Sequence, residues 1–193
     1  MGSAVPDAVD FYGVGAVQVS ELDALAKRIA ATHPSLDLDV ESTVLDPRDA
    51  LLREAVTSDL LIVGSTEQGA ARRLLFGSVA RTAARRSPCP LVVVRGTRAS
   101  FPIRRIAVGI DGSSASETAV RSCRARSDVD VLGQMFDGSA STALSAATLE
   151  VDLVAIGSRG HGGFRTTLFG SVALAVVEHS LCPVAIAHPQ PRT

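Results

Sequence analysis

Residues Asp152–Ala187 read DLVAIGSRGHGGFRTTLFGSVALAVVEHSLCPVAIA, and this stretch decides the fold because the chain contains it twice. Asp59–Val94 reads DLLIVGSTEQGAARRLLFGSVARTAARRSPCPLVVV. Asp59 aligns with Asp152, Gly64-Ser65 with Gly157-Ser158, and Leu75–Ala80 with Leu168–Ala173, at one constant shift and without a gap. Cys89-Pro90 then meets Cys182-Pro183. Self-similarity of that length marks a tandem duplication. GTRASFP, Gly96–Pro102, is the natural joint. The expected division is a degenerate copy over residues 1–99 and a second copy over residues 100–193.

Each copy reads as strand, loop, helix, strand. LLIVG and LVAIG are short, continuously apolar and end in glycine, the pattern of strands buried on both faces of a parallel sheet. Gly77-Ser78 and Gly170-Ser171 mark helix starts, with serine as the expected cap. SPCP and SLCP close the helices, because the residue before proline is pushed out of helical geometry. LVVV and VAIA are the last strands. Upstream in copy one, Ser20–His33 predicts an amphipathic helix, LDLDVESTVL a strand, and DPRDALLREAVT a helix capped by Asp46 with Pro47 at its first position. Copy two opens with RRIAVGIDGSSASETAV, a strand, turn and helix, followed by VDVLGQMF as a strand and SASTALSAATLE as a helix. Strands alternating with helices predict an α/β fold, an open parallel sheet with helices on both faces. The copies are unequally complete. Copy one has no strand-plus-Asp to match Ile110-Asp111, and copy two has little room for a further strand and helix between Val120 and Val129.

Composition narrows the function. The chain has 193 residues, enough for one large domain or two small ones, and 46% of them are apolar. A net charge of −1, with Lys27 the only lysine, argues against a nucleic-acid partner, which needs clustered cations. Aromatic residues make up 4% and tryptophan is absent, so base-stacking platforms are not expected either. MGSAVPDAVD has neither the cationic start nor the apolar core of a signal peptide, and no apolar run reaches the roughly 18 to 20 residues of a membrane span. Cys89, Cys123 and Cys182 show no metal or disulfide spacing. A reducing, cytoplasmic setting without membrane contact is the expectation.

The glycines of the second copy suggest an anion site. Gly157, Gly160 and then Gly170-Ser171-Val172 follow a buried strand and open a helix. Glycine lets backbone N–H groups approach an anion with no Cβ in the way. A helix start adds unpaired donors and the positive dipole end, about 0.3 to 2 kcal/mol for an anion. Ser171 adds a hydroxyl for a phosphate or for a metal ion bound to it. The place after a parallel strand is where open α/β sheets bind ligands. The pattern is neither a Walker loop, which needs Gly-Lys-Ser/Thr, nor a Rossmann fingerprint. A plain glycine-rich connector is the alternative reading of the same residues.

GSRGHGGFRTTLFGSVA resembles the ATP-binding signature of the universal stress protein family, and VGIDGSSASETA resembles its opening strand and turn. The resemblance runs from the first helix of copy one to the last strand of copy two. It implies an adenine-nucleotide α-hydrolase-like fold with five parallel strands per domain, tandem or dimeric packing, and ATP as ligand, with Mg2+ accompanying it. It implies that Asp111 contacts the adenosine moiety, and that Ile156 and Gly157 flank the nucleotide. Gly160 lies where the loop wraps the phosphates, and Gly170, Ser171 and Val172 form the phosphate-binding helix start. Ser158, Arg159 and His161 complete the candidate set, with Arg165 a further cation in reach of phosphates. The second strand, which lines the adenine pocket in this family, is not evident in copy two.

Several of these residues have plainer roles open to them. Asp111 would equally start a turn through its side chain. His161, Arg159 and Arg165 fit an ordinary exposed loop, Ser158 fits a cap, and Cys89 and Cys182, each before a proline, fit packing.

Copy one is an internal control. Glu67 replaces Gly160 and Ala70 replaces Gly163. A carboxylate about 5 Å from a phosphate charge costs roughly 3 kcal/mol at an effective dielectric near 20. That exceeds the dipole contribution, even with Arg72 and Arg73 nearby, so copy one is expected not to bind ATP. No nucleophile elbow, HExxH helix or close carboxylate pair marks an enzyme, and no catalytic or metal-ligating residue is assigned. The reading is an ATP-binding sensor or switch of the stress response. Its rivals are a scaffold that binds no nucleotide and a slow ATP hydrolase or self-phosphorylating protein. An apolar last strand such as LVVV or VAIA needs cover. Pairing of the two halves through these strands, or of two chains in a homodimer, would supply it.

Overall fold

The computed structural model describes residues 14–64, 77–94, 102–124, 133–160 and 169–188. Two compact units divide at Leu45/Asp46. The first contains α1, Val14–Thr32, which begins six residues before the expected Ser20. Ser20 therefore lies inside the helix and does not open it. The alternating segment after α1 joins no sheet, and Leu36, Leu38, Val40, Val44 and Leu45 are exposed. Alternation gives a segment a strand's two faces, but its N–H and C=O groups still need a neighbouring strand.

The second unit is built from α2 (Pro47–Glu54), β1 (Leu61–Gly64), α3 (Ser78–Arg86), β2 (Leu91–Val94), β3 (Ile106–Val108), α4 (Ser114–Arg124), α5 (Ala140–Ala147), β4 (Leu153–Gly157), α6 (Ser171–His179) and β5 (Val184–Ala187). The α2 start follows the sequence pattern: Asp46 caps it, accepting the Arg48 N–H at 2.9 Å, and Pro47 stands at its first position. At α3 and α6 the cap is the glycine, Gly77 or Gly170, and the serine is already helical, with no side-chain bond to the cap. Extended φ/ψ at the cap, −71° and 147° for Gly170, leaves the following serine outside the geometry that returns a hydroxyl to the first turn.

Five strands form one sheet in the order β1-β2-β5-β4-β3. Pairing is parallel within each copy, as strand–helix alternation predicts, and antiparallel between β2 and β5 where the copies meet. The sheet is therefore mixed, with two strands from copy one and three from copy two, where the family resemblance implies five per domain. Of the expected VDVLGQMF strand, residues 133–136 form no strand and residues 129–132 lie outside the described residues. In the antiparallel pair Val92 faces Ala185, its own counterpart in the repeat, while Leu91 faces Ile186 and Val93 faces Val184. The two copies are thus related by a local two-fold through Val92 and Ala185, the self-complementary arrangement of a symmetric dimer made inside one chain. The expected copy boundary at residues 99/100 lies outside the described residues.

Register places Leu61, Val63, Leu91, Val93, Val154, Ile156, Val184 and Ile186 on one face, where all eight are buried. Ala80, Ala83 and Ala84 of α3 and Ala173, Val176 and Val177 of α6 join them in a single core. Full burial of each large aliphatic side chain contributes about 1.5–3 kcal/mol, so a one-residue slip, which would turn the whole set away from this core, is strongly disfavoured. Cys89 and Cys182 are buried in the same core at the strand starts, each tied to its turn by Ser87 or Ser180 donating to the cysteine carbonyl, at 2.8 and 2.6 Å. On the opposite face α4 lies against β3, β4 and β5, burying Ala115 and Ala119. Asp152 locks β3 beside β4: its Oδ2 accepts the N–H groups of Arg104 and Arg105, both at 2.9 Å, which holds its carboxyl below the usual range.

Candidate functional site

The parallel strands β3 and β4 end side by side, and their ladder continues to the Gly109 N–H, which donates to Ala155 at 2.9 Å. Beyond it, Ile110 and Asp111 leave the sheet, and so do Ser158, Arg159 and Gly160 beyond β4. Crossing loops at the carboxyl end of a parallel sheet leave a crevice. Here it is a cavity of about 420 Å3. Asp111, Ile156, Gly157, Arg159, Gly160, Gly170, Ser171 and Val172 all line it, so eight of the candidate residues meet in one place. Ser158 does not line it, and His161 lies outside the described residues, as do Arg165 and the copy-one residues Glu67, Ala70, Arg72 and Arg73.

The three glycines do different things. A Cβ at Gly157 would lie 2.8 Å from both the Ala115 Cβ and the Ser116 backbone nitrogen, so this glycine lets α4 approach the strand. A Cβ at Gly160 would collide with Oδ2 of Asp111, a side-chain contact within the cavity itself. Gly170 is the least constrained: its nearest neighbour, the Ser158 carbonyl oxygen, would stand at 3.4 Å. Its own N–H donates to that carbonyl at 2.9 Å, while the Ser158 N–H donates to Ala187 at 2.8 Å. Ser158 is fully buried and joins the ends of β4 and β5 to the start of α6 through its backbone. The first N–H groups of α6 have no intrahelical acceptor, and the cap residue, Gly170, has no side chain to offer them.

Asp111 does start a turn, as its plainer reading expects. Its Oδ1 accepts the Ser113 N–H at 3.0 Å and lies 2.7 Å from the Ser113 hydroxyl, across Gly112 at φ +79°. The two roles are compatible, because the same carboxylate lines the cavity.

A family model described as the universal stress protein family matches residues 3–95 and 127–188. The chain belongs to the universal stress protein family. Universal stress proteins of Mycobacterium tuberculosis strain H37Rv and of Mycobacterium bovis are each 27% identical, over 84% of this chain and 73% of theirs. A crystal structure of a universal stress protein from Archaeoglobus fulgidus superposes with a TM-score of 0.71 at 15% identity, covering 94% of this chain and 84% of that one. A functionally unknown protein from Pseudomonas aeruginosa superposes at 0.61 with 14% identity, covering 89% of this chain and 78% of its own. At those identities the structures establish the shared α/β fold. Two matched segments agree with the tandem form read from the repeat.

Sequence reasoning missed part of this family member's cavity. Gly109, Ile110, Ser116, Ala140, Leu144 and Ala173 line it too. Ala140 and Leu144 sit one turn apart on α5, but nothing in SASTALSAATLE says which face of that helix meets the strand ends. Ser113 carried a usable signal, since Asp-Gly-Ser followed by Ser three residues on is a turn leading into a helix cap. His188, just past β5, was also passed over. Its Nε2 stands 3.2 Å from the Ala84 carbonyl of copy one, and burial pushes the ring below its ordinary value. The neutral ring donates that bond from Nε2, because a carbonyl only accepts.

Proposed function

We propose that the chain binds ATP in the copy-two cavity and serves as a nucleotide-dependent sensor or switch of the stress response, acting in the cytoplasm without turnover. The observation that carries this reading is the meeting of three features around one cavity: the glycine-capped start of α6, the Gly157–Gly160 backbone, and Asp111. The residues fit the group. Glycine at position 160 leaves room for the Asp111 carboxylate beside the loop, and a cavity of about 420 Å3 falls within the range of small-ligand sites. In this reading Gly160, Gly170 and Ser171 face the phosphates, and Asp111 faces the ribose or adenine. Among the described residues no cluster of His, Cys, Asp or Glu suits a metal ion, so Mg2+ arrives with the nucleotide, within reach of the Ser171 hydroxyl. The antiparallel β2·β5 pair supports intramolecular pairing of the halves as the working form. None of the described helices is long and apolar enough to cross a membrane.

The test is mass spectrometry of nucleotide carried by the purified protein, with calorimetry of ATP binding, repeated on Gly160→Glu. That substitution copies the carboxylate of copy one and sets it against Asp111. The expected loss is about a hundredfold, from like-charge repulsion near 3 kcal/mol. Binding untouched by Gly160→Glu would sink the site. No ATP bound by the unmutated protein would favour the scaffold reading, and ADP release proportional to protein would favour the hydrolase.

A further inference from the structure

Gly109, like Gly157, has a packing role at the strand ends. Extending the β3·β4 register by two residues sets Gly109 beside Ile156, on the face that carries the core. A Cβ at Gly109 would stand 3.0 Å from Leu144 Cδ1 and 3.3 Å from Ile156 Cγ2, closer than carbon atoms pack. The missing side chain therefore makes the room that Leu144 of α5 occupies. Leu144 is half-buried: it packs against the core and also lines the cavity. Its helix is held in place. α5 packs on α6, and Thr148, fully buried one turn beyond Leu144, accepts the Leu181 N–H at 3.3 Å and donates to the Ser145 carbonyl at 2.6 Å. Leu181 lies in the turn that follows α6, the helix whose start opens the cavity.

These contacts give the cavity two ends of different chemistry. Leu144 and Ile156 form an aliphatic floor at the level of Gly109, and Ala140, one turn earlier on α5, extends it. Asp111 lies two residues beyond Gly109, about 6 to 7 Å along an extended chain, and meets Gly160 at the rim. An aliphatic floor strips water from a charged group and returns no hydrogen bond, so phosphates are excluded from it. It stabilises a flat, weakly polar face in proportion to the area it covers. A purine presents such a face, with its polar atoms at the edge. The rise from floor to rim leaves room for a sugar between base and phosphates. Resting on the nucleotide reading above, we propose that Leu144, with Ala140, is the base-binding wall of the site. It selects a nucleotide over inorganic polyphosphate, which the glycine loop and the α6 start would otherwise hold alike.

The measurement is the ratio of dissociation constants for inorganic tripolyphosphate and ATP, by calorimetry with Mg2+ present. The unmutated protein is expected to prefer ATP by about thirtyfold, the effect of covering roughly 80 Å2 of apolar surface. Leu144→Ala is expected to reduce the preference to about threefold or less while the tripolyphosphate constant stays within about twofold. Leu144→Met, which conserves volume, is expected to keep the preference. Because Leu144 also packs on the core, the unmutated protein supplies a second readout. Its Leu144 methyl NMR signals, assigned through Leu144→Met, are expected to shift upfield with ATP, from the ring current of a base lying on them, and not with tripolyphosphate. Methyl signals indifferent to ATP overturn the inference and leave the nucleotide reading standing. So does a Leu144→Ala variant that weakens ATP and tripolyphosphate equally, or a ratio near one in an unmutated protein that still binds ATP. Failure of the unmutated protein to bind ATP overturns both.

Discussion

Ile62 and Ala155 hold the same place in the two copies, on strands β1 and β4, yet Ile62 is 59% exposed and Ala155 only 3%. Two residues on, Gly64 has no heavy atom of the described residues within 4 Å of where its Cβ would be, whereas Gly157 is pressed against the backbone of α4. The strands carry one pattern and meet different surroundings, because α4 covers that face at β4 and β5 while Ile62 and Gly64 of β1 remain exposed. The lesson concerns repeats generally. Duplication copies residues, but a buried glycine has a steric reason only where something packs on it. Gly157 is in the first place a packing residue, whereas Gly160 faces the cavity-lining side chain of Asp111.

The sharpest way to break this comparison is the pair of glycines. Gly157→Ala puts a methyl into backbone that cannot yield, and is expected to destabilise by about 3 kcal/mol in urea unfolding. Gly64→Ala is expected to be neutral or stabilising by about 0.5 kcal/mol, since alanine restricts the unfolded chain more than glycine does. Equal costs at the two positions would refute the difference in packing. Exchanging their neighbours sharpens it. Ala155→Ile overfills the face beneath α4 and is expected to cost about 2 kcal/mol, while Ile62→Ala at its exposed counterpart is expected to cost about 0.5 kcal/mol or less.

The smallest expected effects concern another matched pair, the caps Asp46 of α2 and Ser139 of α5. Asp46 bonds the Arg48 N–H, whereas Ser139 makes no capping bond and its hydroxyl lies 2.7 Å from that of Ser141. Ser139→Asp is expected to stabilise by about 0.5 kcal/mol, bringing α5 closer to α2. Asp46 titrates at about 2 against an ordinary 3.8, first through the Arg48 side chain and then through that residue's backbone N–H. A depressed folded-state value means that its contribution is complete above pH 3.8 and is lost as the pH falls through 2. Thermal melts of Asp46→Asn between pH 5 and pH 2 should therefore lack this part of the acid loss. The exposure of the pair and screening by salt keep the difference small, and melts in high salt should shrink it further.

Much of the fold was legible because its signals are local. Asp46 and Pro47 announce α2, SPCP and SLCP end two helices, and the buried strands stand out as apolar runs closed by glycine. The misreadings share one cause. LDLDVESTVL alternates as a strand should, but a strand exists only with a partner, and no local pattern reveals whether one is present. Eight candidate site residues were found because they sit on two contiguous motifs at strand ends and a helix start. Ala140 and Leu144 were missed because α5 enters the cavity from elsewhere in the chain, and an eight-residue helix does not state which side faces inward.

By itself the sequence determined the duplication, the universal stress protein family, the α/β class and the residues gathered at the end of copy two, all of which depend on residue order over short spans. Only the tertiary structure decided that the halves share one sheet through an antiparallel joint at Val92 and Ala185. Only it showed that Gly157 serves α4, and that Ser113 ties Asp111 to the loop beyond β4. These are contacts between residues far apart in the chain, set by strand register and by the close approach of α4 to β4. Register and approach depend on side chains from several elements fitting at once, which no single stretch of sequence encodes.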